Sequence, residues 1–250
     1  MYNFFVDSND RTGNKFYITG SDFNHIKNVL RMKKGENFLV SCDGNSSLCK
    51  IDELTQDTVV ALILEENFQS TDLPIKIYLF QGLPKSDKME LIVQKAVELG
   101  VHAIIPTQMQ RCVVKLDDKK KKSKTSRWQS ISESAAKQSK RSIIPKIHNI
   151  ITFKQAVEFA GDLDLIIVPY ESKRRMEDTR SALSMIKSGM SVGIFIGPEG
   201  GFEDNEIDLI IKNGARTVSL GQRILRTETA AITAVGMCML YTEMNINGDE

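Results

Sequence analysis

From Ile75 onward, short runs of strand-forming residues alternate with stretches of helical periodicity, and no other feature restricts the fold as much. Residues 75–80 read as a strand. Met89, Val93, Ala96, Val97 and Leu99 then line the apolar face of a helix that Gly100 ends, and Asp87 with Glu90 has the spacing of a capping box. A strand is expected at 103–106, helices near 126–140 and 153–160, a strand at 164–169 and a helix near 178–188. A strand at 191–196, a helix near 204–213, a strand at 216–220 and a last helix from about 227 to 244 complete the series. Strands joined through helices run parallel, so this region is expected to be an α/β domain with a mostly parallel, helix-covered sheet.

The first 70 residues have another texture. Short runs at 38–40, 48–51 and 59–63 are separated by turn-formers such as Asp43-Gly44-Asn45. One helix interrupts them, with Ser21 or Asp22 as its cap and Phe23, Ile26, Val29 and Leu30 on its apolar face. This pattern suits a small β-barrel. The polar stretch 65–72 reads as a linker, so the expected domains are 1–70 and 73–250.

Of the 250 residues 41% are hydrophobic, enough for a real core, which excludes a disordered chain. No apolar run approaches the roughly 18 residues of a membrane helix. The first residues lack a basic leader followed by an apolar stretch, so a cytoplasmic protein is expected. Cys42, Cys49, Cys112 and Cys238 form no CxxC pair and the three histidines are scattered, so zinc spacing is absent and reduced thiols are expected. The formal charge is only +1, but it is unevenly spread. Residues 111–146 hold 12 basic and 3 acidic groups, densest at 119–124. An excess of nine positive charges in one segment points to a polyanion, RNA or DNA.

Two loops could carry chemistry. At 193–202 an apolar strand enters the turn Gly197-Pro198-Glu199-Gly200-Gly201, and Glu203, Asp204 and Glu206 open the next helix. Glycines at the carboxyl end of a strand let backbone approach a ligand. Acids at the helix start disfavour a phosphate there, and neither a P-loop nor G-x-G-x-x-G is present. The second loop, 219–231, places Arg223 and Arg226 beside Ile224 and Leu225, ahead of Thr227, Glu228 and Thr229. It is either a purine pocket with an anion-facing arginine, or a solvated loop with Thr227 as a helix cap.

These two loops, with their order and place in the chain, resemble the RsmE family, a branch of the SPOUT methyltransferases acting on small-subunit ribosomal RNA. The resemblance extends to residues 25–36, to Lys85-Ser86-Asp87-Lys88-Met89-Glu90, to 94–101, to Arg111-Cys112, to Trp128 and to 135–141. Gln110 stands where relatives often carry a glutamate before the arginine. The resemblance implies a PUA-like β-barrel joined to an α/β domain with a C-terminal trefoil knot. It implies S-adenosylmethionine held by loops 168–171, 197–201 and 220–226, with Tyr170, Ile196, Gly197, Gly200, Gly201, Leu220, Gly221, Ile224, Leu225 and Thr229 as its contacts.

The implied reaction is methylation of nitrogen 3 of a uridine in 16S rRNA. Arg226 would stabilise the developing oxyanion, and Glu199 or Glu228 would take the proton. The implied RNA contacts are Arg11, His25, Lys27 and Arg31 in the barrel and Lys85, Lys88, Arg111, Arg127, Ser139 and Arg141 in the α/β domain. The implied partners are small-subunit rRNA or the 30S subunit and a second copy of the chain, the C-terminal helix facing either that copy or the core. Two rival readings stay open: methylation of another RNA, and a non-catalytic rRNA-binding assembly factor. The glycine turn and Thr227-Glu228 favour an enzyme, because a pure binder needs no cofactor pocket.

Overall fold

The computed structural model describes residues 1–68, 70–170 and 176–245. The chain forms two compact units, one of Met1–Asp72 with Ala136–Ile144, the other of Leu73–Ala135 with the chain from Pro145 onward. The expected division at 70 to 73 did not foresee the return of Ala136–Ile144 to the first unit.

The first unit contains β1 (Asn3–Phe5), β2 (Arg11–Thr12), β3 (Lys15–Ile18), α1 (Gly20–Asn24), β4 (Asn37–Cys42), β5 (Asn45–Leu54) and β6 (Val59–Glu65). Its mixed sheet has the order β1-β4-β5-β6-β3-β2, parallel between β1 and β4 and antiparallel elsewhere. Along β5, Cys49 and Ile51 point inward and alternate with half-buried Lys50 and Asp52, the period of a one-sided strand. Phe4, Phe16, Phe38, Ile26 and Ile51 form the core. Asp43 and Gly44 both take positive φ, 48° and 81°, as a two-residue hairpin turn requires.

Helix α1 corrects two expectations. Thr19 precedes it and makes no side-chain cap, while the Asp22 carboxylate accepts from Lys137 Nζ at 2.9 Å. Beyond Asn24 the backbone widens into a π turn, His25–Val29, with Leu30 N–H donating to His25 O. The wider turn breaks the 3.6-residue period, so Val29 is 64% exposed instead of lying on the apolar face.

The returning segment is held by polar bonds. The Arg141 carbonyl accepts from Asn3 Nδ2 at 2.9 Å and Ser41 Oγ at 3.2 Å. Its guanidinium donates to Asp72 Oδ1 at 2.5 Å, and the Ser142 N–H and hydroxyl also donate to Asp72.

The second unit contains β7 (Lys76–Gly82), α2 (Lys88–Glu98), β8 (Ala103–Gln108), α3 (Asp118–Ser139, its last turn in the first unit), β9 (Lys146–Ile147) and β10 (Ile151–Thr152). It continues with α4 (Phe153–Ala160), β11 (Leu165–Pro169), α5 (Met176–Leu183), β12 (Ser191–Ile196), α6 (Asp204–Lys212), β13 (Arg216–Val218) and α7 (Thr227–Asn245). All pairings are parallel, in the order β10-β8-β7-β12-β11-β13, with β9 also beside β8. At the centre Phe80 of β7 and Phe195 of β12 stack with centroids 4.3 Å apart. The strand order breaks sequence between β7 and β12, and the carboxyl ends beside such a break are where open α/β sheets bind ligands.

Asp87 does not cap α2 with its side chain; its φ and ψ of −92° and 10° are not those of an extended cap, and Glu90 instead pairs with Arg127. Helix α3 begins at Asp118, so the lysine run is helical. The run has no apolar period to reveal it, but lysine favours helix, and Asp117 and Asp118 pair with Lys120 and Lys121 at the favourable end of the dipole. Among the described residues no helix is long and apolar enough to cross a membrane, and no cluster of metal-binding side chains occurs. The four cysteines are unpaired, and burial pushes the Cys49 and Cys238 thiols up to about 12, which removes them as nucleophiles.

Candidate active site

The loops after β11, β12 and β13 enclose a cleft of about 800 Å³, the size of a small-molecule site. Pro169 and Tyr170 form one side, Ile196 to Phe202 the floor and Val218 to Thr227 the other side, with Lys88, Arg111 and Ala230 completing the wall. These are the three loops expected from the sequence; Glu171 of the first lies outside the described residues.

Glycine is required where backbone meets backbone. A Cβ on Gly82 would stand 2.7 Å from both N and Cδ of Pro198, and one on Gly197 would stand 3.1 Å from the Gly201 carbonyl carbon. Gly201 itself takes φ +71°. The turn is pinned from α7, where Thr227 Oγ1 donates to Gly197 O at 2.6 Å and accepts from the buried Gln81 Nε2 at 3.0 Å. A fork from Arg111 pins it from the other side: NH1 donates to Gly200 O at 3.0 Å, while Nε and NH2 donate to the two Glu203 oxygens.

The start of α6 is acidic and disfavours an anion. Glu203 and Glu206 form a reciprocal capping box, and Glu206 also accepts from Gln110 N–H at 2.9 Å. Carboxylates gathered at this end of the helix therefore disfavour a phosphate there. The cleft suits a ligand that is apolar in part and carries no phosphate.

Two more carboxylates meet one lysine. Glu199 accepts from Lys88 Nζ at 2.9 Å and from Lys85 N–H at 3.1 Å, and Glu228 Oε2 lies 3.5 Å from the same Lys88 Nζ. Partial burial opposes the charge on Glu199, but the Lys88 hydrogen bond and the backbone N–H groups of Glu199 and Lys85 outweigh it and hold the carboxyl below the usual glutamate range. The Glu199 hydrogen bond, reinforced by Glu228, raises Lys88 above the ordinary lysine value.

Of the residues expected to hold a cofactor, Tyr170, Ile196, Gly197, Gly200, Gly201, Leu220, Gly221, Ile224 and Leu225 all line the cleft. Thr229 is exposed and outside the wall, where Thr227 and Ala230 stand instead. Arg226 and Glu199 line it, and Glu228 reaches it only through Lys88.

The expected RNA contacts are more dispersed. In the second unit Lys85 is exposed, Lys88 and Arg111 are engaged in the cleft wall, and Arg127 pairs with Glu90. In the first unit Ser139 is half-buried, and Arg141 is 3% exposed with its charge spent on Asp72. Also there, Arg11 pairs with Glu66, Lys27 donates to Thr55 O, His25 packs edge-on to Phe4, and exposed Arg31 sits at φ +54°. Sequence reading missed the roles of Gln81, Thr227 and Lys88. Gln81 reaches Thr227 across 146 positions, Lys88 reaches Glu199 across 111 and Thr227 reaches Gly197 across 30, and no local pattern signals these bonds.

The chain matches family models of an RNA methyltransferase domain over residues 71–239 and of an RNA methyltransferase PUA domain over 18–64. It is 40% identical over 239 residues, 94% of this chain and 93% of the relative, to ribosomal RNA small subunit methyltransferase E of Bacillus subtilis. A crystal structure of a hypothetical protein superposes with TM-score 0.89 at 37% identity, covering 97% of this chain and 99% of that one. The Neisseria gonorrhoeae ribosomal RNA small subunit methyltransferase E, solved with S-adenosyl methionine bound, superposes with TM-score 0.80 at 30% identity, covering 96% and 97%.

Proposed function

The chain belongs to the RNA methyltransferase family whose members include ribosomal RNA small subunit methyltransferase E, and from that premise we propose that it methylates nitrogen 3 of one uridine in 16S rRNA, using S-adenosylmethionine. The observation that carries this reading is the cleft at the ends of β11, β12 and β13. Its crowded glycine turn and acid-capped α6 fit a sulfonium zwitterion and disfavour a nucleotide phosphate. Bound there, the cofactor supplies an activated methyl group. Isoleucine and leucine side chains at 196, 220 and 225 offer the apolar surface an adenine needs.

Uridine nitrogen 3 carries a proton, so the chain must align the base and receive that proton. Arg226 lines the cleft and its guanidinium makes no hydrogen bond or ion pair with another described residue, which leaves it for an oxyanion on the base. The decisive experiment methylates small-subunit rRNA from a strain lacking the gene and identifies the product nucleoside. Label in another nucleoside, or in another RNA, would overturn the reading.

Gly82→Ala tests the cradle. Displacing the 197–201 turn is expected to weaken cofactor binding at least about tenfold, read by calorimetry, and to lower stability by about 1–3 kcal/mol. Wild-type affinity in that variant would show that the turn's position does not matter.

RNA affinity should fall with salt, by less than charge counting suggests. Arg111, Arg127, Lys137 and Arg141 pair with Glu203, Glu90, Asp22 and Asp72, all outside residues 111–146, so the excess of nine charges falls to five. Among the described residues Lys119, Lys122 and Lys124 have no ion pair. Replacing all three with alanine is expected to flatten the slope of log K against log salt by about 2–3. An unchanged slope would place the RNA elsewhere.

Three further readings belong to this proposal: a C-terminal knot, a cytoplasmic location, and a homodimer acting on the 30S subunit or its rRNA. Helix α7 supports the dimer, since it buries Ala231, Ala234, Val235 and Cys238 while leaving Leu240 and Met244 exposed. Those side chains offer a second copy an apolar face.

A further inference from the structure

We propose that Lys88 is a positioning residue for methyl transfer: its ammonium ties Glu199 to Glu228 across the cleft rim and holds Glu199 as the group that receives the nitrogen 3 proton. The inference rests on the reading above and settles which carboxylate acts.

Lys88 is the first residue of α2, Glu199 lies in the turn after β12, and Glu228 lies in the first turn of α7. One ammonium therefore joins three segments that lie far apart in the sequence, at 2.9 Å on one side and 3.5 Å on the other. The two carboxylates differ. Glu199 lines the cleft and is fixed from a second direction by Lys85 N–H. Glu228 lies outside the wall with its side chain 13% exposed; its buried Oε2 accepts no hydrogen bond among the described residues, and its charge acts on Lys88 across 3.5 Å.

One ammonium between two carboxylates leaves the cluster at −1. That repels phosphate, so Lys88 is poorly placed for the RNA contact expected of it. The same surplus suits a cationic sulfonium nearby.

A carboxylate held ionised is a sufficient acceptor here. As the bond from nitrogen 3 to the methyl carbon forms, the N–H becomes strongly acidic, and a weak base suffices if it is ionised and correctly placed. The proton passes to a Glu199 oxygen, the nitrogen electron pair forms the new bond, and the electrons of the broken carbon–sulfur bond stay on sulfur. The ionisable groups facing Glu199 are Lys88 from α2, Glu228 from α7 through Lys88, and the buried Cys112 thiol after β8; Arg111, in the same wall, is paired with Glu203.

The test compares Lys88→Met, Lys88→Arg, Glu199→Gln and Glu228→Gln in the full chain. Lys88→Met is expected to lower kcat on small-subunit rRNA about 100-fold, with the RNA KM and the S-adenosylmethionine Kd within about threefold, and Lys88→Arg to recover at least about tenfold. Removing Lys88 removes a bond that favours the ionised form, so the acid limb of kcat should move to higher pH. A raised RNA KM at unchanged kcat would make Lys88 a phosphate contact and overturn the proposal. So would a greater loss of kcat in Glu228→Gln than in Glu199→Gln. Carbon-13 titration of the Glu199 carboxyl gives a readout independent of turnover: its midpoint should rise in Lys88→Met, and a fixed midpoint would refute the clamp. A wild-type chain inactive on small-subunit rRNA, with that midpoint still shifting, would sink the proposed substrate and leave the clamp standing.

Discussion

Arg226→Ala is expected to lower kcat by at least about 100-fold while changing S-adenosylmethionine affinity by less than about threefold. Arg226 ends the lip 222–226, lines the cleft and is exposed. A guanidinium that braced the fold would have a carboxylate or carbonyl partner, as Arg111 and Arg141 do. Arg226 has none among the described residues, so its removal should spare the architecture and be felt when charge develops on the substrate. Calorimetry with the cofactor and single-turnover methylation of rRNA separate the two effects. An equal loss of both would make Arg226 a cofactor contact and refute its role at the oxyanion.

The second large effect is on stability. Arg141→Met is expected to destabilise the first unit by about 3–5 kcal/mol, because it leaves Asp72 largely buried with its counter-charge removed. In a unit of this size that corresponds to a Tm fall of well over about 10 °C, visible by scanning calorimetry. Adding Asp72→Asn to the same chain should recover part of the loss, since no charge is then left unpaired. If Arg141→Met melted like the wild type and bound RNA more weakly, Arg141 would be the surface contact that the family resemblance implied.

What could be read from the sequence was what each segment encodes locally. Strand β12 occupies the expected 191–196 and α4 the expected 153–160, because a buried strand or amphipathic helix carries its own pattern; α7, an apolar helix with little one-sided period, still spans the expected stretch. The cleft was legible for a similar reason: its glycines and arginines directly follow strands, and parallel strands present their carboxyl ends together. Pairing across the fold was not legible. Counting charge by segment treats every cation as solvated, yet Arg111 spans 92 positions to reach Glu203 and Lys88 spans 111 to reach Glu199. The lysine run was ambiguous because a helix without an apolar face has no period to detect. The π turn misled in the opposite way, since its apolar spacing was present but its geometry was not α-helical.

The return of Ala136–Ile144 to the first unit bears on how such a chain can change over time. A gene segment ending at Asp72 would lack Arg141, and one beginning at Leu73 would carry Arg141 without Asp72, Asn3 or Ser41. Neither cut yields a complete hydrogen-bonding set. A single crossover at Asp72 therefore does not transfer the first unit intact; a complete exchange has to carry Ala136–Ile144 with it.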